Sequence, residues 1–269
     1  LIGKSKKEKD TIVTLDGVFW DSQELLEKML DDDFYYGYLG TNSLSSSACK
    51  KLLDSPRAYS DSLITKSGND NPNFRIGHLF HWELLEPEKY NQLHFVDAKR
   101  KDSKVFKEAL AEHGSDKIYT ISERDIAKRM SDSFLNNPKT AHYLRDTRFE
   151  VPAIGEIEGI PFRAKADVLG VGFIVDLKST GDLNKFKWSA RNFSYDVQTY
   201  IYCELFGISY KDFTFAVADK STGLLGIFEC SREFYESGKF KTHQAIDIYN
   251  DFFVDKKKSV DEFYLYDVL

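Results

Sequence analysis

The stretch Arg163-Ala-Lys-Ala-Asp-Val-Leu-Gly-Val-Gly-Phe-Ile-Val-Asp-Leu-Lys178 decides the fold. Alternation with period two sets Phe162, Ala164 and Ala166 on one side and Arg163, Lys165 and Asp167 on the other, as a strand requires. Gly170 and Gly172 supply a turn tolerant of positive φ. On the return, Asp176 and Lys178 share one face, while Val175 and Leu177 take the opposite, buried one. The stretch reads as a β-hairpin with two carboxylates and a lysine at one end.

Those carboxylates would repel as anions unless a cation lay between them. Hard oxygen donors of this kind suit Mg²⁺ or Mn²⁺, which keep part of their water shell and take further ligands from a phosphate substrate. A lysine beside them can stabilise an attacking hydroxide or the charge that builds on phosphorus. A surface salt-bridge cluster uses the same residue types, and D-x8-D-x-K alone leaves both readings open.

At 269 residues the chain is long enough for a sizeable core, and its 42% apolar and 30% charged content is that of a soluble globular protein. The net charge of −6 does not advertise nucleic-acid binding, so any such binding needs a local basic patch. Between residues 163 and 191 the balance does reverse: Arg163, Lys165, Lys178, Lys185, Lys187 and Arg191 outnumber Asp167, Asp176 and Asp182. Cys49, Cys203 and Cys230 are scattered, which argues against a disulfide framework or a zinc or iron–sulfur site and fits a reducing, cytoplasmic compartment. No apolar run approaches the ~18 residues of a membrane span, and no signal peptide is seen. Neither G-x-x-x-x-G-K-[ST] nor G-x-G-x-x-G occurs, so no nucleotide cofactor is expected. The start at Leu1 suggests an excised domain or a fragment of a longer chain.

Residues 1–10 read as a charged leader, and Thr11 to Trp20 as a small hairpin around Asp16-Gly17. Asp21 or Ser22 caps a helix to about Met29, and residues 33–43 look irregular and aromatic. A serine-capped helix follows, with Leu44, Ala48 and Leu52 on one face and Pro56 after its end; serines and basic groups at such an N-terminus can hold phosphate. After a loop at 67–73, a helix from Phe74 to Glu86 puts Gly77 and His81 on one face, the glycine letting another element approach. Lys99 to Lys104 is a charged linker, followed by a short helix. Further on, Ser122 caps a helix to about Leu135, and a strand over 149–154 turns through Gly155 and Gly159 into the hairpin. Beyond it come a helix over 195–206 capped by Ser194, strands near 213–218 and 224–229, and an amphipathic helix over 232–253. Strands flanked by helices indicate an α/β domain with a central mixed sheet.

These motifs fall in an order that resembles the PD-(D/E)XK nucleases, specifically the RecB-type group with its RecE-like and lambda-type exonucleases. The likeness is carried by Leu44-Ser-Ser-Ser with Ser55-Pro-Arg-Ala-Tyr59, by Gly77-His-Leu-Phe-His81 with Leu85-Glu-Pro87, and by Asp167. Asp176-Leu-Lys178-Ser-Thr and Tyr195-Asp-Val-Gln-Thr-Tyr-Ile-Tyr202 complete it. It implies a restriction-endonuclease-like core over 41–269, with residues 1–40 as an N-terminal extension. It makes His81, Asp167 and Asp176 metal ligands, with the Leu177 carbonyl and Glu150 as further ones. Asp stands where the motif also allows Glu. Lys178 would orient or activate water, and Gln198 and Tyr202 would line the site and contact DNA. Ser45, Ser47, Arg57, Arg163, Lys165, Lys185, Lys187 and Arg191 are the candidate DNA contacts.

The function implied is Mg²⁺-dependent hydrolysis of phosphodiester bonds, with Mn²⁺ as a substitute. The RecE-like likeness further implies 5′→3′ digestion of linear duplex DNA for recombination or repair, a single-strand annealing partner, a homo-oligomeric ring, and a virus-encoded or organellar source as well as a cellular one. The same motifs serve single-strand exonucleases and structure-specific endonucleases. A non-catalytic DNA-binding module on this fold also stays open.

Overall fold

The hairpin is the middle of a five-stranded sheet in the computed structural model, which describes residues 11–64, 72–114 and 117–264. The leader at 1–10 and most of the 67–73 loop lie outside those residues. In chain order the elements begin with β1 (Thr11–Val13), β2 (Phe19–Asp21), α1 (Ser22–Lys28), a π-helical turn (Asp33–Tyr38), α2 (Leu39–Asn42), α3 (Ser46–Asp54) and α4 (Pro56–Ile64). Next come α5 (Pro72–Leu85), α6 (Pro87–Tyr90), β3 (His94–Val96), α7 (Lys104–His113), β4 (Ile118–Thr120), α8 (Ile121–Asn136) and α9 (Pro138–His142). The main sheet follows as β5 (Arg148–Ile157), β6 (Ile160–Gly170) and β7 (Phe173–Thr180), then α10 (Phe186–Asn192), α11 (Tyr195–Phe206), β8 (Phe213–Asp219), β9 (Leu225–Glu229) and α12 (Arg232–Tyr249).

The strand order is β5-β6-β7-β8-β9, with β7 and β8 parallel and the other neighbours antiparallel. A parallel pair needs a crossover, and α10 with α11 supplies it. The chain therefore has the mixed, helix-flanked sheet of a restriction-endonuclease-like core. Each face of the sheet has its own apolar core. On one, Ala164, Ala166, Ile174 and Phe215 pack with Leu52, Val197, Ile201 and Ile246 from α3, α11 and α12. On the other, Val168, Val175 and Leu177 pack with Leu79, Phe80, Met130 and Phe134 from α5 and α8. The N-terminal elements gather Leu25, Met29, Tyr35 and Leu39 against Ile154 of β5.

Several local expectations change. Residues 33–42 are helical, because Tyr35 and Leu39 bury against β5. Pro56 opens α4 rather than merely following α3, as its missing N–H allows at a first turn. The cap of α8 is Thr120, in a reciprocal capping box with Glu123, and not Ser122. Gly155 stays inside β5, and the turn falls at Glu158 and Gly159. Ser194 has left-handed backbone (φ 53°) and makes no capping bond to α11. In the central turn only Gly172 has positive φ (81°). Gly170 serves close approach instead, since a Cβ there would lie 2.1 Å from the Phe173 ring.

Candidate active site

The alternation that identifies the hairpin resets at Asp167. Ala166 belongs to one core, yet Val168, two residues on, belongs to the other. The β6–β7 ladder runs inward from the turn only as far as Val168↔Val175. Beyond it the Asp167 carboxylate fills the gap, with Oδ2 accepting the Leu177 N–H at 2.7 Å. On the other side, β5 pairs with β6 at Phe149↔Val168 and again at Val151↔Ala166 but not between. The two residues skipped are Glu150 and Asp167, and Glu150 has a φ of 50°. Left-handed backbone at a residue other than glycine marks local strain of the kind that accompanies function.

This opening between strands gathers the candidate metal ligands. One atom each of His81, Glu150 and Asp167 lie within 4.8 Å of one another. His81 arrives from α5, and Gly77 one turn earlier lets that helix close on β7: a Cβ on it would sit 3.2 Å from Ser179 Oγ. His81 Nε2 is 2.8 Å from the Leu177 carbonyl oxygen, which can only accept, so Nε2 carries the proton. The Nδ1 lone pair is left facing Asp167 Oδ2 at 3.7 Å. Burial and the nearby Lys178 cation depress the His81 pKa, so the ring is neutral and fit to ligate.

Asp176 lies beneath this group, wholly buried. Gln198 Nε2 donates to its Oδ1, and Lys178 Nζ pairs with Oδ2 at 2.5 Å. The lysine also stands 5.0 Å from the centre of the Tyr195 ring. Burial pushes the Asp167 and Asp176 carboxyls up to about 6, against the opposing pull of Lys178. Glu150 is raised further, to about 8, by burial and then by the charges of Asp167 and Glu86. Burial alone would lower the Lys178 pKa, but the two aspartates overcome it and raise it. Without a cation the carboxylates destabilise one another, and a divalent ion relieves that. The donor set of one neutral imidazole and hard carboxylate oxygens fits Mg²⁺ or Mn²⁺.

The remaining candidates separate. Tyr202 is buried, and its hydroxyl donates to the Lys165 carbonyl at 2.9 Å, which fixes β6. The Arg163 guanidinium is also buried, and Nη1 donates to the Leu39 and Ser43 carbonyls at 2.6 and 3.0 Å. Lys165 pairs with Asp32 at 2.7 Å. Ser45, which caps α3, and Ser47 line a cleft of about 1010 Å³ that also reaches His81, Glu150, Asp167 and Lys178. Arg57, Lys185, Lys187 and Arg191 are not among its lining residues. Arg57 pairs with Asp61 at 3.9 Å, Lys185 with Asp182 at 3.2 Å and Arg191 with Glu233 at 3.9 Å.

Sequence reasoning gave no site role to Asp32, Tyr36, Glu86, Lys89 or Tyr195, all of which line the cleft, although Glu86 and Tyr195 stand inside the motifs. Tyr195 had a signal: it precedes Gln198 by three and Tyr202 by seven, so all three share a helix face. Asp32 and Tyr36 lie in an acidic, aromatic run that nothing local ties to the hairpin.

Residues 45–261 match the family described as a PDDEXK-like domain of unknown function, DUF3799. The chain belongs to that PDDEXK-like family. A solved structure of a candidate exonuclease from Eubacterium rectale is similar at 15% identity and a TM-score of 0.62, covering 89% of this chain and 95% of that one. At that identity the likeness shows the shared fold. A second structure, of the protein SSO0001, matches at 14% identity over 76% of this chain and 85% of its own, with a TM-score of 0.31 that carries no argument. No curated protein matches. Among the described residues no helix is long and apolar enough to cross a membrane.

Proposed function

We propose that this PDDEXK-like chain is a Mg²⁺-dependent deoxyribonuclease, acting as an exonuclease on DNA. The observation that carries the reading is the convergence of His81, Glu150 and Asp167 with the buried Asp176–Lys178 pair at the gap between β6 and β7. Reading Asp167, Asp176 and Lys178 as a surface salt-bridge cluster accounts for neither the burial nor the broken ladder.

In this scheme His81, Glu150 and Asp167, whose ligand atoms converge, would hold the cation, with Asp176 as the further carboxylate that the resemblance implies. When bound, Mg²⁺ lowers the pKa of coordinated water and neutralises charge on the scissile phosphate. The chain's own groups do the positioning. Gln198 fixes the Asp176 carboxylate, and the Leu177 carbonyl fixes the His81 tautomer. Lys178, kept charged by its two aspartates, would supply the cation that an attacking hydroxide and a developing phosphorane oxygen need. The Tyr195 ring stands beside its ammonium, 5.0 Å away. Ser45 and Ser47 at the start of α3 remain proposed phosphate contacts, whereas Arg163 is left out because carbonyls engage it.

The RecE-like likeness supports 5′→3′ digestion of linear duplex DNA in recombination or repair, in a cytoplasmic setting, with an annealing protein and a ring-shaped homo-oligomer as further expectations. It also supports treating residues 41–269 as the nuclease domain. Digestion of end-labelled linear duplex, nicked circle, closed circle and single strand with Mg²⁺, with EDTA and Lys178→Ala as controls, tests this. Mononucleotides released from 5′ ends of linear duplex are expected. Cutting of closed circles makes the protein an endonuclease, preference for single strands makes it a single-strand exonuclease, and binding without cleavage overturns the catalytic reading.

A further inference from the structure

Beside the carboxylate cluster the cleft wall carries a second charged group. Asp32 stands at the start of the π-helical turn, and its side chain makes no capping bond there. Its two oxygens are each taken by an ammonium instead: Oδ1 by Lys165 Nζ at 2.7 Å, and Oδ2 by Lys89 Nζ. Lys165 is nearly buried and lies 5.0 and 5.5 Å from the centres of the Tyr35 and Tyr36 rings, so its ammonium is held in place. Lys89 also pairs with Glu86 at 2.5 Å. Asp32, Lys89, Lys165, Glu150 and Asp167 line one cleft.

A carboxylate bridging two ammoniums has the charge and oxygen spacing of one phosphodiester group. The cations around it are engaged elsewhere, Lys178 by Asp176 and Arg163 by backbone carbonyls. A DNA phosphate arriving here meets the anions of Asp32 and the cluster unless Asp32 gives way. The Lys89 contact opens cheaply, since the Asp32 and Lys89 side chains are 38% and 40% exposed and ion pairs that open to water contribute little; the nearly buried Lys165 needs an anion in Asp32's place, which the phosphate supplies.

We propose that Lys89 and Lys165 form a phosphate subsite for the DNA backbone, which Asp32 occupies in the free protein and leaves when DNA binds. The subsite rests on the nuclease reading above. Asp32 is thus an internal competitor that sets affinity and salt dependence without touching the scissile bond.

The test is fluorescence anisotropy of a 5′-labelled duplex oligonucleotide in Ca²⁺, with label length checked on a gel, for wild type, Asp32→Asn, Lys89→Gln and the double variant. Asp32→Asn should tighten binding at low salt and steepen log K against log salt by about 0.9 for each additional phosphate engaged. That is about 3.5-fold more affinity lost between 50 and 200 mM salt per phosphate. Lys89→Gln should weaken binding and flatten the slope, and in the double variant it should cancel the tightening. Asp32→Asn that binds no tighter at an unchanged Tm overturns the subsite. Should Asp32→Asn prove unstable, Lys89→Gln with unchanged affinity and slope overturns it instead. If wild type binds DNA and only these changes fail, the nuclease reading stands; absence of binding by every variant overturns both.

Discussion

The Asp167 carboxylate accepts the Leu177 N–H at 2.7 Å, standing where the next rung of the β6–β7 ladder would be. One side chain thus closes the sheet and belongs to the candidate metal-ligand group. The two roles separate by mutation. Asp167→Asn keeps an acceptor for Leu177, so stability should hold while cleavage falls at least about 100-fold. Asp167→Ala leaves that N–H without its partner and should cost a further 1–3 kcal/mol, about what an unsatisfied buried donor costs. Urea unfolding alongside nuclease rates checks both.

Lys178→Ala should abolish cleavage and largely preserve DNA binding. It also strands the Asp176 carboxylate without its cation. Removing one partner of a buried pair costs about 3–5 kcal/mol. A double variant with Asp176→Asn should recover most of that stability and none of the activity. Denaturation of the single and double variants reads this directly.

The raised carboxyls predict a metal-linked pH profile. Glu150, Asp167 and Asp176 have pKa values above those of an unfolded chain, so the metal-free fold binds more protons than the unfolded state. Their contribution is fully present below about pH 4 and is lost as pH rises through about 6 for the aspartates and about 8 for Glu150. Calorimetry in EDTA should therefore show Tm falling from pH 5 to 8, and saturating Mn²⁺ should flatten that fall while releasing protons. Glu150→Gln should raise Tm at pH 8 in EDTA and weaken Mn²⁺ binding.

Glu123 acts in the opposite direction. Burial favours its neutral form, but hydrogen bonds from Arg75 and from the Thr120 N–H outweigh burial and lower its pKa. Its stabilisation is present above the unfolded carboxyl pKa of about 4.3 and is lost as pH falls through the depressed folded value. Glu123→Gln should remove that acid sensitivity and lower stability at neutral pH. Tm measured between pH 2 and 6 for both proteins decides it.

Gly238 of α12 lies so close to α11 that a Cβ would stand 1.9 Å from the Asp196 carbonyl oxygen. Alanine inside an exposed helix usually stabilises relative to glycine. Here overpacking should win, with Gly238→Ala costing about 1–3 kcal/mol or more. The variant's urea midpoint gives the sign.

The hairpin, the sheet and the motif residues were legible because alternation, turn residues and acid–lysine spacing are local signals. Asp176 contacts both Lys178 and Gln198, and His81 reaches the Leu177 carbonyl between the two motif residues. The reset at Asp167 was not legible, since it arises from Glu150 on a neighbouring strand and from two cores competing for adjacent residues. The partners of Arg163 and Lys165 were not legible for a related reason. Composition shows their charge, while their partners, the Ser43 carbonyl and Asp32, lie more than a hundred residues away in the chain. Whether a serine or threonine caps, as Thr120 does and Ser194 does not, depends on backbone angles that the local sequence leaves open.

His81 comes from the helical layer on one face of the sheet, and Gln198 and Tyr195 come from the layer on the other. The chemistry therefore exists only while both layers are docked. A copy that loses either layer, through damage, heat or incomplete folding, loses its active site at the same moment. On the proposed nuclease reading, misfolding is then silent: half-folded molecules are inert rather than indiscriminate.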